Sequence, residues 1–293
     1  VDDAPAEIWL KLENLQPIGS FKLRGAGNAV LAAPRAELEQ GLVTTSTGNM
    51  AQGVAWMARR LGVPATIVVP DTASPAKLAA VERLGGRIVS VPWDDWWAAV
   101  EHGEEALAEG IEGFFVHPVA DPAVMAGNGT IGLEIVEQLV GFDTVLVPWG
   151  GGGLTTGIAS ALAALAPNAD VVVCEPENGA PVTAALANGG TPVPIAFTPS
   201  FVDGAGSGSL LPAVWERARP LISSSAVVSL EAAAGTVRLL LERARILAEG
   251  AAALTVAAAL AGAGGTGRVV CVVSGGNLDA ARLAAILEGR VPG

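Results

Sequence analysis

Five short runs rich in valine and isoleucine recur along the chain: Thr66–Val69, Arg87–Val91, Thr144–Val147, Asp170–Cys174 and Arg268–Val273. Their apolar residues are continuous rather than alternating, which predicts strands covered on both faces. Between them, Ala51–Leu61, Pro75–Leu84, Thr130–Leu139, Leu154–Leu165, Leu230–Ala248 and Asp279–Leu287 carry the spacing of helices. Strands alternating with helices predict an α/β fold built on parallel sheet. Ligands of such sheets sit at the carboxyl ends of the strands, where glycine-rich turns open the helices.

With 293 residues the chain can bury a large core and stands where one domain begins to split into two. Apolar residues at 51%, 37 glycines and a mean hydropathy of +0.49 fit deeply buried sheet with close backbone packing. A net charge of −12 argues against nucleic acid and anionic membrane surfaces as partners. Any anionic ligand must then be held by local backbone dipoles. The apolar run Ala251–Gly265 is too short and too rich in alanine and glycine to span a bilayer, and reads as a buried helix. No charged-then-apolar signal opens the chain, so a cytoplasmic protein is expected. Cys174 and Cys271 fall in predicted buried strands without paired spacing and read as small core residues in a reducing compartment. The Gly-, Pro- and Ser-rich stretch Asn188–Gly208 lacks a period and is a candidate loop over a site.

Four segments carry chemistry. In Pro17–Ala26, Gly19-Ser20 is a helix-start signal and Phe21 opens an apolar face, so Lys22 falls in the first helical turn. The positive end of the helix dipole disfavours an ammonium there and favours a neutral amine nucleophile. The same lysine also reads as an ordinary surface cation screened by solvent. In Ser46-Thr47-Gly48-Asn49-Met50-Ala51-Gln52-Gly53, a polar turn leads into a helix whose first N–H groups can bind a carboxylate, although Ser, Thr and Asn are also common caps. After strand Thr144–Val147 come Gly150, Gly151, Gly152 and Gly153, then Leu154. Successive backbone N–H groups can converge there on one anion. Ile158 stands where a P-loop lysine would be, and no acidic residue is placed for a ribose, so a phosphate monoester fits better than a nucleotide. A tight packing turn is the other reading. Lastly, Ser274 follows the final strand and either caps a helix or offers a neutral hydroxyl to a ring nitrogen. An amine, a phosphate cradle, a small polar loop and that hydroxyl suit a cofactor bearing an aldehyde, a phosphate and a pyridine ring, as pyridoxal 5'-phosphate does.

In these residues, and in Lys11-Leu12-Glu13, His117-Pro118, Asp121-Pro122, Gly127-Asn128-Gly129-Thr130 and Cys174-Glu175-Pro176, the chain resembles the fold type II pyridoxal phosphate enzymes, in the threonine/serine dehydratase and serine racemase branch. The resemblance implies two parallel-sheet three-layer domains like the tryptophan synthase beta subunit, residues 1–40 and 119–293 forming the large cofactor-binding domain and 41–118 a small mobile one. It implies that Lys22, beside Phe21, bonds the cofactor aldehyde and shuttles the α-proton. Asn49 would bind the ring hydroxyl, Gly150 to Leu154 the phosphate, and Ser274 the pyridine nitrogen, with Glu249 near the cofactor or exposed at a helix end. Ser46, Thr47, Gly48, Asn49, Met50 and Gln52 would meet a small β-hydroxy amino acid. A neutral Ser274 makes the ring a weaker electron sink, which suits loss of a 3-hydroxyl from L-threonine or L-serine to give a 2-oxo acid and ammonia. Racemisation, β-replacement and threonine synthesis keep the same lysine; a non-catalytic binder of a phosphate metabolite has no use for it. A homodimer is usual in the resembling family.

Several residues depart from that pattern. Met50 stands where histidine is common, as a core plug or a specificity residue. Thr47 replaces the serine of the racemases, and its β-branching restricts it. Of the family's cation ligands Glu175 and Gly179 match but Pro181 replaces an aspartate, which puts a bound cation in doubt. Leu23 stands where the synthases usually carry Asp. Only Val1 to Gln16 precede the lysine run, where relatives carry a few dozen residues, so either residues are missing from this sequence or the large domain is incomplete at its edge. No regulatory domain is expected after Gly293.

Overall fold

The computed structural model describes residues 4–73 and 75–293; the first three residues of the expected large domain, and Ser74, lie outside it. In chain order the elements are β1 (Glu7–Leu12), α1 (Lys22–Ala32), α2 (Arg35–Leu38), β2 (Leu42–Thr45), α3 (Asn49–Leu61), β3 (Ala65–Pro70), α4 (Pro75–Arg83), β4 (Arg87–Val91), α5 (Trp93–His102), β5 (Phe114–Phe115) and α6 (Pro122–Gln138). They continue with β6 (Thr144–Pro148), α7 (Gly153–Leu165), β7 (Asp170–Pro176), α8 (Pro181–Ala187), α9 (Pro212–Ala218), β8 (Ser224–Val228), α10 (Leu230–Leu239), α11 (Gly250–Leu260), β9 (Arg268–Val273) and α12 (Ala280–Leu287). All strand pairs are parallel, in a five-stranded sheet ordered β1-β9-β6-β7-β8 and a four-stranded sheet ordered β4-β3-β2-β5.

The residues group into two compact units, one of residues 1–15 with 129–293 and one of 16–128, a wider span than the expected 41–118. In the larger unit the central strands bury both faces. Val145, Leu146, Val147, Val173, Cys271 and Val272 are completely covered, and Leu146, Cys174 and Cys271 pack with Ala252, Ala253 and Leu254 of α11. Each such aliphatic side chain contributes about 1.5–3 kcal/mol on burial, which is why continuous Val runs form the middle of this sheet. The smaller unit has its own core of Ile67, Val69, Val54, Met50 and Val30.

The five predicted strands are present, although β4 is a half-exposed edge and not covered on both faces, and α11 is the expected buried helix. Four further strands were not foreseen. β1 is a half-exposed edge, and its alternation of Glu7, Trp9 and Lys11 with Ile8 and Leu10 is the period-2 signal of one covered face. β8 is another half-exposed edge, while β2 and β5 are only four and two residues long. The helix expected over Leu230–Ala248 stops early. α10 passes at Leu240 into a π turn, Arg245 adopts a left-handed conformation at φ +60°, and the chain straightens to bring the Glu249 N–H to the Gly275 carbonyl at 2.9 Å. Among the described residues, no helix is long and apolar enough to cross a membrane.

Candidate functional site

In the smaller unit, Gly19 closes a turn by donating to the Gln16 carbonyl at 2.7 Å, and α1 begins at Lys22 with Phe21 as its N-cap residue. Lys22 is therefore the first helical residue, as its sequence setting predicts. Its Nζ donates to the Pro118 carbonyl at 2.7 Å and lies 5.3 Å from the centre of the Phe21 ring. The segment expected to meet a substrate stands next to this lysine's helix. α3 crosses α1 at Gly53, where a Cβ would lie 3.3 Å from both the Lys22 carbonyl and the Ala26 Cβ. A Cβ there would press on both, and glycine lets the two backbones approach that closely without a shift.

Upstream of Gly53, β2 ends at Thr45 and the turn 46–48 leads to Asn49, the first residue of α3. The Gly48 N–H donates to Ser46 Oγ at 3.2 Å, and a Cβ on Gly48 would enter open space with no atom within 4 Å. Ser46, Thr47, Asn49 and Gln52 are half-buried; Met50 is fully buried in the core of this unit, the place of a plug. The hydroxyls of Ser20 and Thr45, each next to an expected binding segment in the chain, are buried without a hydrogen-bond partner. Buried hydroxyls normally find one, so a polar ligand completes this arrangement better than protein alone does.

The larger unit carries the other expected residues. Gly152 is the N-cap of α7 at φ +88° and gives the helix no side-chain cap. Glycine is required at Gly152 and Gly150 for space as well: a Cβ on Gly152 would lie 2.5 Å from the Trp149 ring, and one on Gly150 would lie 2.7 Å from the Gly204 carbonyl. The aperiodic stretch bears directly on this turn. Phe201, Val202 and Ala205 anchor it in the core, and the Gly206 N–H donates to the Trp149 carbonyl at 2.8 Å. β9 and β6 are parallel neighbours, so Ser274 leaves the same sheet edge as Trp149-Gly150. Ser274 and Glu249 are buried together: a Cβ on Gly275 would lie 2.6 Å from Glu249 Oε1, and one on Gly204 would lie 3.4 Å from it. Glu249 therefore flanks the Ser274-Gly275 turn, and the reading of it as a water-exposed helix end does not hold. Backbone amides on a glycine turn, a buried neutral hydroxyl and a neighbouring carboxylate fit the phosphate and pyridine of the expected cofactor.

Glu175 is completely buried at the end of β7. Oε1 accepts the Val182 N–H at 2.8 Å, and Oε2 accepts the Thr183 N–H and hydroxyl, each at 2.8 Å. Pro181 begins α8, so Val182 and Thr183 are its first-turn donors. Burial pushes the Glu175 carboxyl up, against these three donors. The Gly179 carbonyl packs against Gly206. This donor set suits a helix cap and does not fit a divalent cation, which needs several oxygen ligands. Among the described residues, no group of three or more His, Cys, Asp or Glu side chains is placed to hold a metal.

One residue that sequence reasoning gave no role stands beside Lys22. The His117 ring contacts the backbone at 100, 119 and 120, and the only signal for it was its place directly before Pro118.

The family model described as "Pyridoxal-phosphate dependent enzyme" matches residues 2–275. An L-threonine ammonia-lyase of Geobacter sulfurreducens is 38% identical over 285 residues, covering 96% of this chain and 70% of that protein. A catabolic L-threonine dehydratase of Staphylococcus aureus is 36% identical over 291 residues, covering 96% and 82%. Among solved structures, the processed form of threonine deaminase isoform 2 from Solanum lycopersicum superposes with a TM-score of 0.86 at 32% identity, covering 98% of this chain and 84% of that one. Maize serine racemase gives 0.85 at 29% identity, covering 97% and 87%.

Proposed function

Because the chain belongs to the pyridoxal-phosphate dependent enzyme family, we propose that it is an ammonia-lyase that removes the 3-hydroxyl of L-threonine, L-serine or a related β-hydroxy amino acid, releasing a 2-oxo acid and ammonia. The relatives named as threonine ammonia-lyases and dehydratases support the substrate class. The observation that carries the chemistry is Lys22 at the first position of α1, its amine held at the Pro118 carbonyl and its helix crossed by the one that follows the 46–48 turn.

Pyridoxal phosphate, when bound, supplies an aldehyde that joins the substrate amine and a ring that draws electrons from the α-carbon. The protein's own residues do the rest. Lys22 would be the amine that holds the cofactor and the base that moves the α-proton. Gly150, Gly151, Gly152, Gly153 and Leu154 bind the phosphate through backbone N–H groups, Asn49 binds the ring hydroxyl, and Ser274 offers a neutral hydroxyl to the ring nitrogen with Glu249 beside it. Ser46, Thr47, Gly48 and Gln52 orient the substrate carboxylate. A ring nitrogen faced by a hydroxyl is not held protonated, which favours a reaction whose electrons leave with the 3-hydroxyl.

Racemisation is the second reading. The likeness to maize serine racemase supports it, while the β-branching of Thr47, in the place of the racemases' serine, weighs against it. One experiment separates the two: L-threonine, L-serine and bulkier 3-hydroxy amino acids are supplied, and 2-oxo acid and D-isomer are assayed together, with Lys22→Ala as the control. We expect 2-oxo acid from native protein, and loss of both product and visible cofactor absorbance in Lys22→Ala. D-serine without 2-oxo acid would sink the lyase reading.

The resemblance also supports a homodimer in which residues 41–118 are the mobile part.

A further inference from the structure

His117 is fixed from both sides of its ring. Nδ1 accepts the Val119 N–H at 3.0 Å and the Ala120 N–H at 2.9 Å, while Nε2 lies 3.0 Å from the Val100 carbonyl. Two amide donors on Nδ1 require a lone pair there, so the ring is neutral, with its proton on Nε2 and donated to Val100. Burial works in the same direction, pushing the imidazole pKa below 6.5; the Lys22 charge adds to it, while the Val100 carbonyl and Asp121 oppose it.

This anchorage decides where the next carbonyl points. In a trans peptide the C=O and N–H of one unit point in opposite directions, and the described backbone has no cis bond. The Val119 N–H and the Pro118 C=O belong to the same peptide unit. Holding the N–H on His117 Nδ1 therefore aims the carbonyl away from the ring, and it is this carbonyl that receives Lys22 Nζ at 2.7 Å.

We propose that His117 is a positioning residue for Lys22: as a fixed acceptor at Nδ1 it orients the 118–119 peptide, whose carbonyl holds the lysine amine in place whenever that amine is not bonded to cofactor. The proposal rests on the reading of Lys22 as the cofactor-carrying amine.

The test uses the full chain freed of cofactor. Native protein, His117→Ala and His117→Asn are treated with acetic anhydride, Lys22 acetylation is measured by peptide mass spectrometry, and melting temperatures are recorded alongside. Only the neutral amine is acetylated, so a carbonyl that holds the ammonium protects it. The Asn Oδ1 can accept the same two amides but cannot reach Val100 in the same way. Losing one hydrogen bond to a charged group should raise Lys22 acetylation about tenfold in His117→Ala, whereas His117→Asn should stay within about twofold of native. Acetylation in His117→Ala equal to native, whatever its melting temperature, overturns the proposal, because a purely structural histidine would lower stability without exposing Lys22. Should His117→Ala not fold, His117→Asn is compared with native alone: protection retained supports the proposal, and a tenfold rise overturns it. The premise is read separately, from the visible absorbance of native protein mixed with pyridoxal phosphate. Absence of that band would remove the cofactor reading, while the acetylation ratios would still decide the role of His117.

Discussion

The donors of α8 do for the Glu175 carboxylate what a cation could otherwise do at this corner of the fold. A buried carboxylate needs its charge compensated, and here two amides and a hydroxyl of α8 supply that. Proline at 181 suits the arrangement, because the first position of a helix has no use for an N–H. We predict that Glu175→Gln lowers stability by about 1–3 kcal/mol, since an amide group then faces amide donors and one loses its acceptor. Chelator or added Mg²⁺ or Ca²⁺ should leave the melting temperature of native protein unchanged. A rise in melting temperature with Mg²⁺ or Ca²⁺ would show that Glu175 still ligates a cation.

At the level of single elements, the start of α7 leaves no room for a side chain at Gly152. Gly152 combines a left-handed backbone with contact on the Trp149 ring, which itself packs edge-on against Trp215 at 6.2 Å. Gly152→Ala should therefore cost roughly 2–4 kcal/mol, from left-handed strain together with displacement of a buried tryptophan. Denaturant unfolding measures the loss, and tryptophan fluorescence should shift with it. If Gly152→Ala unfolds at the native denaturant concentration, the turn can relax and its glycine serves only the ligand. The premature end of α10 has a comparable logic. Arg245 turns the chain so that Glu249 reaches the Ser274-Gly275 turn, an outcome that a helix continued to Ala248 would prevent.

Across the whole molecule, the absence of exposed thiols gives a simple readout of integrity. Cys174 and Cys271 are both fully buried, and burial pushes their pKa values well up, so neither offers a thiolate in the folded state. A thiol reagent should leave native protein unlabelled, label both cysteines once the larger unit unfolds, and do so more slowly when pyridoxal phosphate is bound and stabilises the native state. Rapid labelling of folded protein would contradict this packing. The cores packed on the five-stranded and four-stranded sheets, with a further cluster of Val43, Val68 and Val91, account for the high share of Val, Ala and Gly that the composition shows.

The sequence by itself determined the elements whose signal is local. Continuous Val runs announced the buried central strands, and Gly19-Ser20-Phe21 placed Lys22 at the start of α1. The glycines after Pro148 likewise marked a helix start. Half-exposed or very short strands such as β1 and β5 escaped, because their pairing with β9 and β2 stabilises them more than their own pattern does. Other features depend on residues far apart in the chain. The approach of α3 to the Lys22 carbonyl at Gly53, the packing of Gly204 on Gly150, the place of Glu249 beside Gly275 and the aim of the Pro118 carbonyl all belong to this group. Glu175 and Met50 show the limit most plainly: the chain names a carboxylate and a thioether, but only tertiary packing makes one a helix cap and the other a core plug. Periodicity and helix starts are fixed by neighbours within a few residues, whereas the partner of a buried polar group is fixed by which segments the fold brings against it.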